Sequence, residues 1–170
     1  MPHEERVAET LSWTQPRMLR EEYLLHRGQE TVGSLTFRSG WGTLATGQYD
    51  GGSWTFKRMG FLRARVTVRP VDTETDIATF HPTTWSGGGS LELSGGRQFK
   101  VEISFWQTRF AVLNHTNRAL LRYGPKGVFR QGADMDILAG TAGVVELPWL
   151  MLLGWYLAVL MHRDAAAASV

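Results

Sequence analysis

The chain has 170 residues, of which 43% are hydrophobic and 20% charged, with a net charge of +2. That composition describes one folded domain with a core, and it excludes a disordered chain. The charge is too small to mark a nucleic-acid binder by bulk electrostatics, and the lack of cysteine excludes disulfides, thiolate metal sites and a cysteine nucleophile.

The opening segment, MPHEERVAET, is charged and has no apolar stretch of the secretory kind. Residues 1–12 read as a flexible tail, and an intracellular, cytoplasmic location is the expectation. From Trp13 to about residue 138 the chain reads as short strands divided by turns. Turn glycines recur near every tenth residue, at Gly28, Gly40, Asp50-Gly51-Gly52, Gly60, Gly87-Gly88-Gly89, Gly95-Gly96 and Gly124-Pro125. Such spacing predicts an all-β sandwich or barrel. Over Phe61–Arg69, Leu62, Ala64, Val66 and Val68 alternate with Arg63, Arg65, Thr67 and Arg69. Over Gln98–Phe105, Phe99, Val101, Ile103 and Phe105 alternate with polar residues. One apolar face at period two predicts half-buried antiparallel strands. Leu91–Leu93, Thr108–Asn114 and Ala119–Tyr123 extend the meander, and Ser94–Arg97 and Asn114–Asn117 read as hairpin turns.

The pattern then changes. Leu147–Met161 is apolar on every side, with Pro148 suited to a first helical turn and Glu146 to the positive end of the helix. A central helix over about 147–162 is predicted, and residues 164–170 read as a flexible tail. A helix apolar all round belongs inside a protein or inside a bilayer. Its apolar run spans ~22 Å at ~1.5 Å per residue, short of the ~20 residues of a usual membrane span. Seven-residue strands span ~23 Å at ~3.3 Å each, so the helix matches the height of a barrel. A helix threaded through a barrel is the primary expectation, with a membrane anchor as the alternative. Gly154 suits close approach of the helix to a barrel wall. The predicted fold is mainly β: a closed antiparallel barrel of about 12 strands around one hydrophobic C-terminal helix, in a single domain over residues 13–163.

This arrangement resembles the tubby C-terminal-like superfamily, which includes LURP-one-related proteins and phospholipid scramblases. The resemblance rests on the run of short strands before one very hydrophobic helix. It also rests on Trp54-Thr55-Phe56, Arg63-Ala64-Arg65-Val66-Thr67-Val68, Gly95-Gly96-Arg97-Gln98-Phe99 and Leu153-Gly154-Trp155-Tyr156-Leu157. It implies a twelve-stranded barrel around the helix and a non-catalytic, lipid-related role. Neither a scramblase calcium segment nor a tubby phosphoinositide site aligns residue by residue, so no site is carried over.

No phosphate loop, dinucleotide fingerprint or nucleophile elbow is present, so no catalytic residue is assigned, and no cofactor or metal is implied. The five histidines read as surface or turn residues. Asp134 and Asp136 read as solvated carboxylates, and Asp72, Glu74 and Asp76 as an exposed edge or loop. Trp149 and Trp155 are expected in the core, and Trp85 is a candidate exposed anchor. The candidate ligand-binding residues are Arg63, Arg65 and Arg69 on one strand face, with Lys57 (and Arg58) across a turn at Gly60. Arginine forks suit phosphate and carboxylate oxygens. The expected function is a non-enzymatic binding module for anionic lipid or another phosphate-bearing ligand, with peripheral membrane contact where that ligand is lipid. The alternatives are a membrane-associated scramblase-like protein and a structural barrel that binds a protein partner. The sequence leaves the oligomeric state open.

Overall fold

The computed structural model describes residues 5–83, 88–104, 109–124 and 132–170. Twelve strands come first: β1 (Val7–Thr14), β2 (Glu22–Arg27), β3 (Glu30–Phe37), β4 (Ala45–Tyr49), β5 (Gly52–Met59), β6 (Arg65–Pro70), β7 (Ala78–Pro82), β8 (Gly89–Leu93), β9 (Gln98–Ser104), β10 (Arg109–Leu113), β11 (Ala119–Tyr123) and β12 (Gly132–Leu138). A short 3₁₀ turn (Ala139–Thr141) then leads to the helix α1 (Leu147–Ala168). Every strand pairs antiparallel with its sequence neighbours, and β1 pairs with β12 to close the ring. Closure leaves no free sheet edge.

Local chemistry drives the hairpins. Tyr49 pairs with Gly52 around Asp50 and Gly51, which have φ of +48° and +75°. Both central residues are left-handed, as a two-residue turn matched to strand twist requires, and Asp-Gly tolerates that best. At the 114–117 turn the Asn114 side-chain oxygen accepts bonds from the Thr116 and Arg118 amides, both at 3.0 Å.

The inner faces of the strands and the Trp149–Leu160 stretch of α1 form one core. Leu11, Leu25, Leu35, Phe56, Val68, Leu91, Leu121 and Met135 are buried from the strands, and so is every residue from Trp149 to Leu160. Phe56 on β5 and Tyr123 on β11 stand on opposite sides of the ring. Both touch α1: Phe56 lies against Tyr156, and Tyr123 Oη donates to the Met151 carbonyl at 2.8 Å. The helix therefore runs through the barrel. This places Leu147–Met161 inside protein, in contrast to the membrane-anchor alternative. Among the described residues no helix is long and apolar enough to cross a membrane.

The helix fits by aromatic stacking and by a missing side chain. Trp155 stacks on Trp13, and Tyr156 stacks on Phe37, with interplanar angles of 7° in both pairs. Burial pushes the Tyr156 phenol up to about 12, and its hydroxyl donates to the Thr43 carbonyl at 2.6 Å. A β-carbon on Gly154 would overlap the Tyr123 hydroxyl and sit 2.7 Å from its Cζ. Because the Tyr123 ring is held by its bond to Met151, Gly154→Ala is expected to destabilise the protein by ~1–3 kcal/mol, despite the better helix propensity of alanine. A urea-unfolding midpoint equal to or above that of the parent would show that the barrel wall yields here.

Three boundaries differ from the sequence reading. β1 begins at Val7, inside the predicted 1–12 tail, because Val7–Thr14 hydrogen-bonds along β12. α1 continues to Ala168 through the predicted flexible tail, as an alanine run readily extends a helix already anchored in the core. The strand expected from Phe61 begins at Arg65, after a turn with Gly60 at φ +87°. The Trp85 anchor lies outside the described residues.

Candidate functional site

An up-and-down ring puts all connections from odd to even strands at one rim. Three successive connections there, residues 15–21, 38–44 and 60–64, lie side by side. The C-terminal half of α1 emerges between them. Arg163 Nη1 donates to the Gly42 carbonyl at 2.9 Å, and its guanidinium lies 4.1 Å over the Phe37 ring. Its Nη2 is 2.7 Å from Glu21 Oε2, an ion-pair contact by distance, although the angle is too poor for a hydrogen bond. Tyr23 donates to the same Glu21 carboxylate at 3.3 Å. Burial first, and then the Glu21 charge, raise the Tyr23 phenol well above its ordinary range, so it stays a neutral donor.

The predicted basic face is partly assembled. Arg65 opens β6 opposite Met59, Lys57 on β5 lies opposite Thr67, and Arg69 lies opposite Thr55. Arg65, Lys57 and Arg69 thus share the outer face, as the alternation requires. Arg69 is occupied by an ion pair with Asp76, which raises its pKa further through their hydrogen bond. Arg63 is not on this face as expected; it projects from the 60–64 connection, which brings it to the rim. Arg58 turns the other way from Lys57 and holds Asp164 on α1 with both guanidinium nitrogens, at 2.6 and 3.2 Å. Asp76 belongs to the loop between β6 and β7, and Asp136 accepts from Thr10 across the seam at 2.7 Å.

The arginines fall into two groups. Arg27, Arg58, Arg69, Arg97 and Arg163 are paired with Glu9, Asp164, Asp76, Glu146 and Glu21. Arg6, Arg17, Arg20, Arg38, Arg63, Arg65 and Arg118 are exposed and have no ion pair among the described residues, nor has the half-buried Arg122. Five of these, Arg17, Arg20, Arg38, Arg63 and Arg65, stand on this rim, whereas Arg6 and Arg118 lie at the opposite end and Arg122 on β11. Of the acids near them, Glu21 and Asp164 are already engaged and Glu22 at the start of β2 has no ion pair among the described residues, so five uncompensated arginines outweigh one carboxylate and the local field is positive. A cleft of about 230 Å³ opens beside α1 at this rim, with Arg65, Phe80, Leu157 and Asp164 among its walls.

The sequence reading missed the apolar character of this end. Trp41 and Leu19 are 100% exposed, Phe61 99%, Leu62 91% and Met18 77%, all within the three connections. Leu62 was expected on the inner face of a strand. The signal lay in the turns themselves: tryptophan between two glycines at 40–42, and apolar pairs flanked by arginine at 17–20 and 61–63.

Among the described residues no group of three or more His, Asp or Glu side chains is placed to hold a metal ion. In comparisons with known proteins, no family model matches the chain, and neither a curated protein nor a solved structure matches it.

Proposed function

We propose that this protein is a non-enzymatic binding module that takes phosphate-bearing anions at its loop-bearing rim. The observation that carries the reading is the segregation of its arginines. Of the eight described arginines without an ion pair, five, Arg17, Arg20, Arg38, Arg63 and Arg65, gather at this rim with unused donors. Guanidinium forks bind phosphate oxygens with two parallel bonds, and several unpaired cations at one rim focus the field. Arg63 and Arg65 carry over from the strand face first considered; Arg69 and Lys57 play the smaller part, one neutralised and the other down the barrel wall. We also propose kinship with the tubby C-terminal-like superfamily, supported by the twelve-strand ring and its central helix.

Inositol hexakisphosphate is a suitable soluble probe. Combined Arg38→Gln, Arg63→Gln and Arg65→Gln replacement is expected to weaken its binding by about tenfold or more, equivalent to ~1.4 kcal/mol, with the parent's affinity falling as salt rises. Arg69→Gln is expected to change it less than about twofold, because that charge is already compensated. Equal affinity of the triple variant and the parent in calorimetric titration would rule the rim out.

A further inference from the structure

Phosphate recognition does not explain why the same three connections expose their apolar side chains. Among the described residues, five of the eight exposed large apolar residues lie on these connections: Met18, Leu19, Trp41, Phe61 and Leu62. Among the described residues, the opposite end of the barrel offers Val145 and the less exposed Val7 of this kind. Each tip is flanked by unpaired arginine: Arg17 and Arg20 around Met18 and Leu19, Arg38 before Trp41, Arg63 after Phe61 and Leu62.

Resting on the anion-binding reading above, we infer that this rim is a docking surface for an anionic lipid bilayer, with the three tips inserted among the headgroups and the arginines on lipid phosphates. Three features select a bilayer over a folded partner. The tips are 77–100% exposed, so they project from the end of the barrel. Aromatic anchors at protein interfaces sit in matched pockets, and three projecting tips would need a partner of complementary shape. A bilayer conforms to any such outline. Tryptophan, with an apolar body and a polar N–H, favours the headgroup level, and arginine can reach phosphate while its stem stays in the apolar layer. Finally, the prongs stand on a closed barrel around a fully packed helix, a rigid support that loses little entropy on docking.

The test uses full-length protein and two vesicle types, phosphatidylcholine alone and phosphatidylcholine with phosphatidylserine. The parent is expected to sediment with the anionic vesicles and to be partly released by high salt. Combined Trp41→Ser, Phe61→Ser and Leu62→Ser replacement is expected to lower vesicle binding by about tenfold or more while leaving inositol hexakisphosphate affinity within about twofold. Val145→Ser, at the far end, serves as the control for a generic loss of surface apolarity. Brominated lipid should quench parent fluorescence and quench Trp41→Phe measurably less. These side chains are exposed, so unchanged thermal unfolding would certify the fold of each variant. Vesicle binding by the apolar variant equal to the parent's, with no Trp41 quenching, would overturn the inference and leave the anion reading intact. So would a parent that binds the hexakisphosphate and ignores vesicles, which would assign the rim to a protein partner. If the arginine variant keeps its hexakisphosphate affinity, the underlying reading itself fails.

Discussion

Leu153→Asp is expected to abolish the cooperative fold. Leu153 is 1% exposed, in the middle of a helix enclosed by a complete ring of strands. A carboxylate there has no route to water. It would have to stay charged without a partner or take up a proton at a cost in free energy. Either outcome costs several kcal/mol, against a total stability of ~5–15 kcal/mol for a typical domain. Circular dichroism with urea titration should show no cooperative transition, or aggregation on expression. Leu153→Met keeps volume and polarity and is expected to cost less than ~1.5 kcal/mol, which separates the charge from the mere change of residue. An aspartate variant that unfolds at the parent's midpoint would show that α1 is not enclosed.

The second large effect is expected at Trp155. Its ring is stacked at 5.6 Å on Trp13 and meets Tyr23 edge-on at 5.7 Å. Trp155→Ala removes the largest side chain of the helix from this cluster and leaves a void walled by a closed sheet that relaxes poorly. A loss of ~3–5 kcal/mol follows, read as a lower urea midpoint at unchanged slope. Trp41→Ala, which removes the same side chain from the rim, is expected to stay within ~0.5 kcal/mol of the parent. Equal costs at the two positions would refute the stacked core. Trp155→Phe should be much milder than Trp155→Ala, for a reason beyond size. The Trp155 and Trp13 ring nitrogens are buried without an acceptor among the described residues. Such an unsatisfied donor costs ~1–3 kcal/mol, and phenylalanine relieves one of them.

The barrel and its axial helix were legible because each has a local signal. Alternation at period two in Phe99, Val101 and Ile103 predicts a strand without knowledge of its neighbours. The unbroken apolarity of Leu147–Met161 predicts enclosure, and its length predicts enclosure by strands. The seam between β1 and β12 was not legible. Val7, Glu9 and Thr10 look like a polar tail until Leu138, Ile137 and Asp136 are laid beside them, across most of the chain. At the candidate site the alternation placed Arg65 and Arg69 on one face, as the register has them, yet could not put Lys57 beside them or show that Asp76 neutralises Arg69. It also began the next strand at Phe61, directly after the turn at Gly60, whereas the connection runs on through residue 64 and β6 begins at Arg65. The rim was invisible for a different reason. Nothing in a linear pattern says that residues 15–21, 38–44 and 60–64 meet; the meander alone puts them together.

The position of the helix after all twelve strands has a consequence for biogenesis. Synthesis proceeds at ~5–20 residues per second, so the ribosome completes all twelve strands seconds before α1 emerges. During that interval the inner faces of the strands have no axial filler. Hairpins such as β4–β5 can form early, since their pairing is local, but the ring cannot tighten onto empty space. Closure of β1 onto β12 and capture of α1 are therefore coupled late events. They also span nearly the full sequence, the class of contact that slows folding most. A nascent chain of this kind presents a curved apolar sheet to its surroundings before it has a core, which makes it a natural client for chaperones that shield open β-structure.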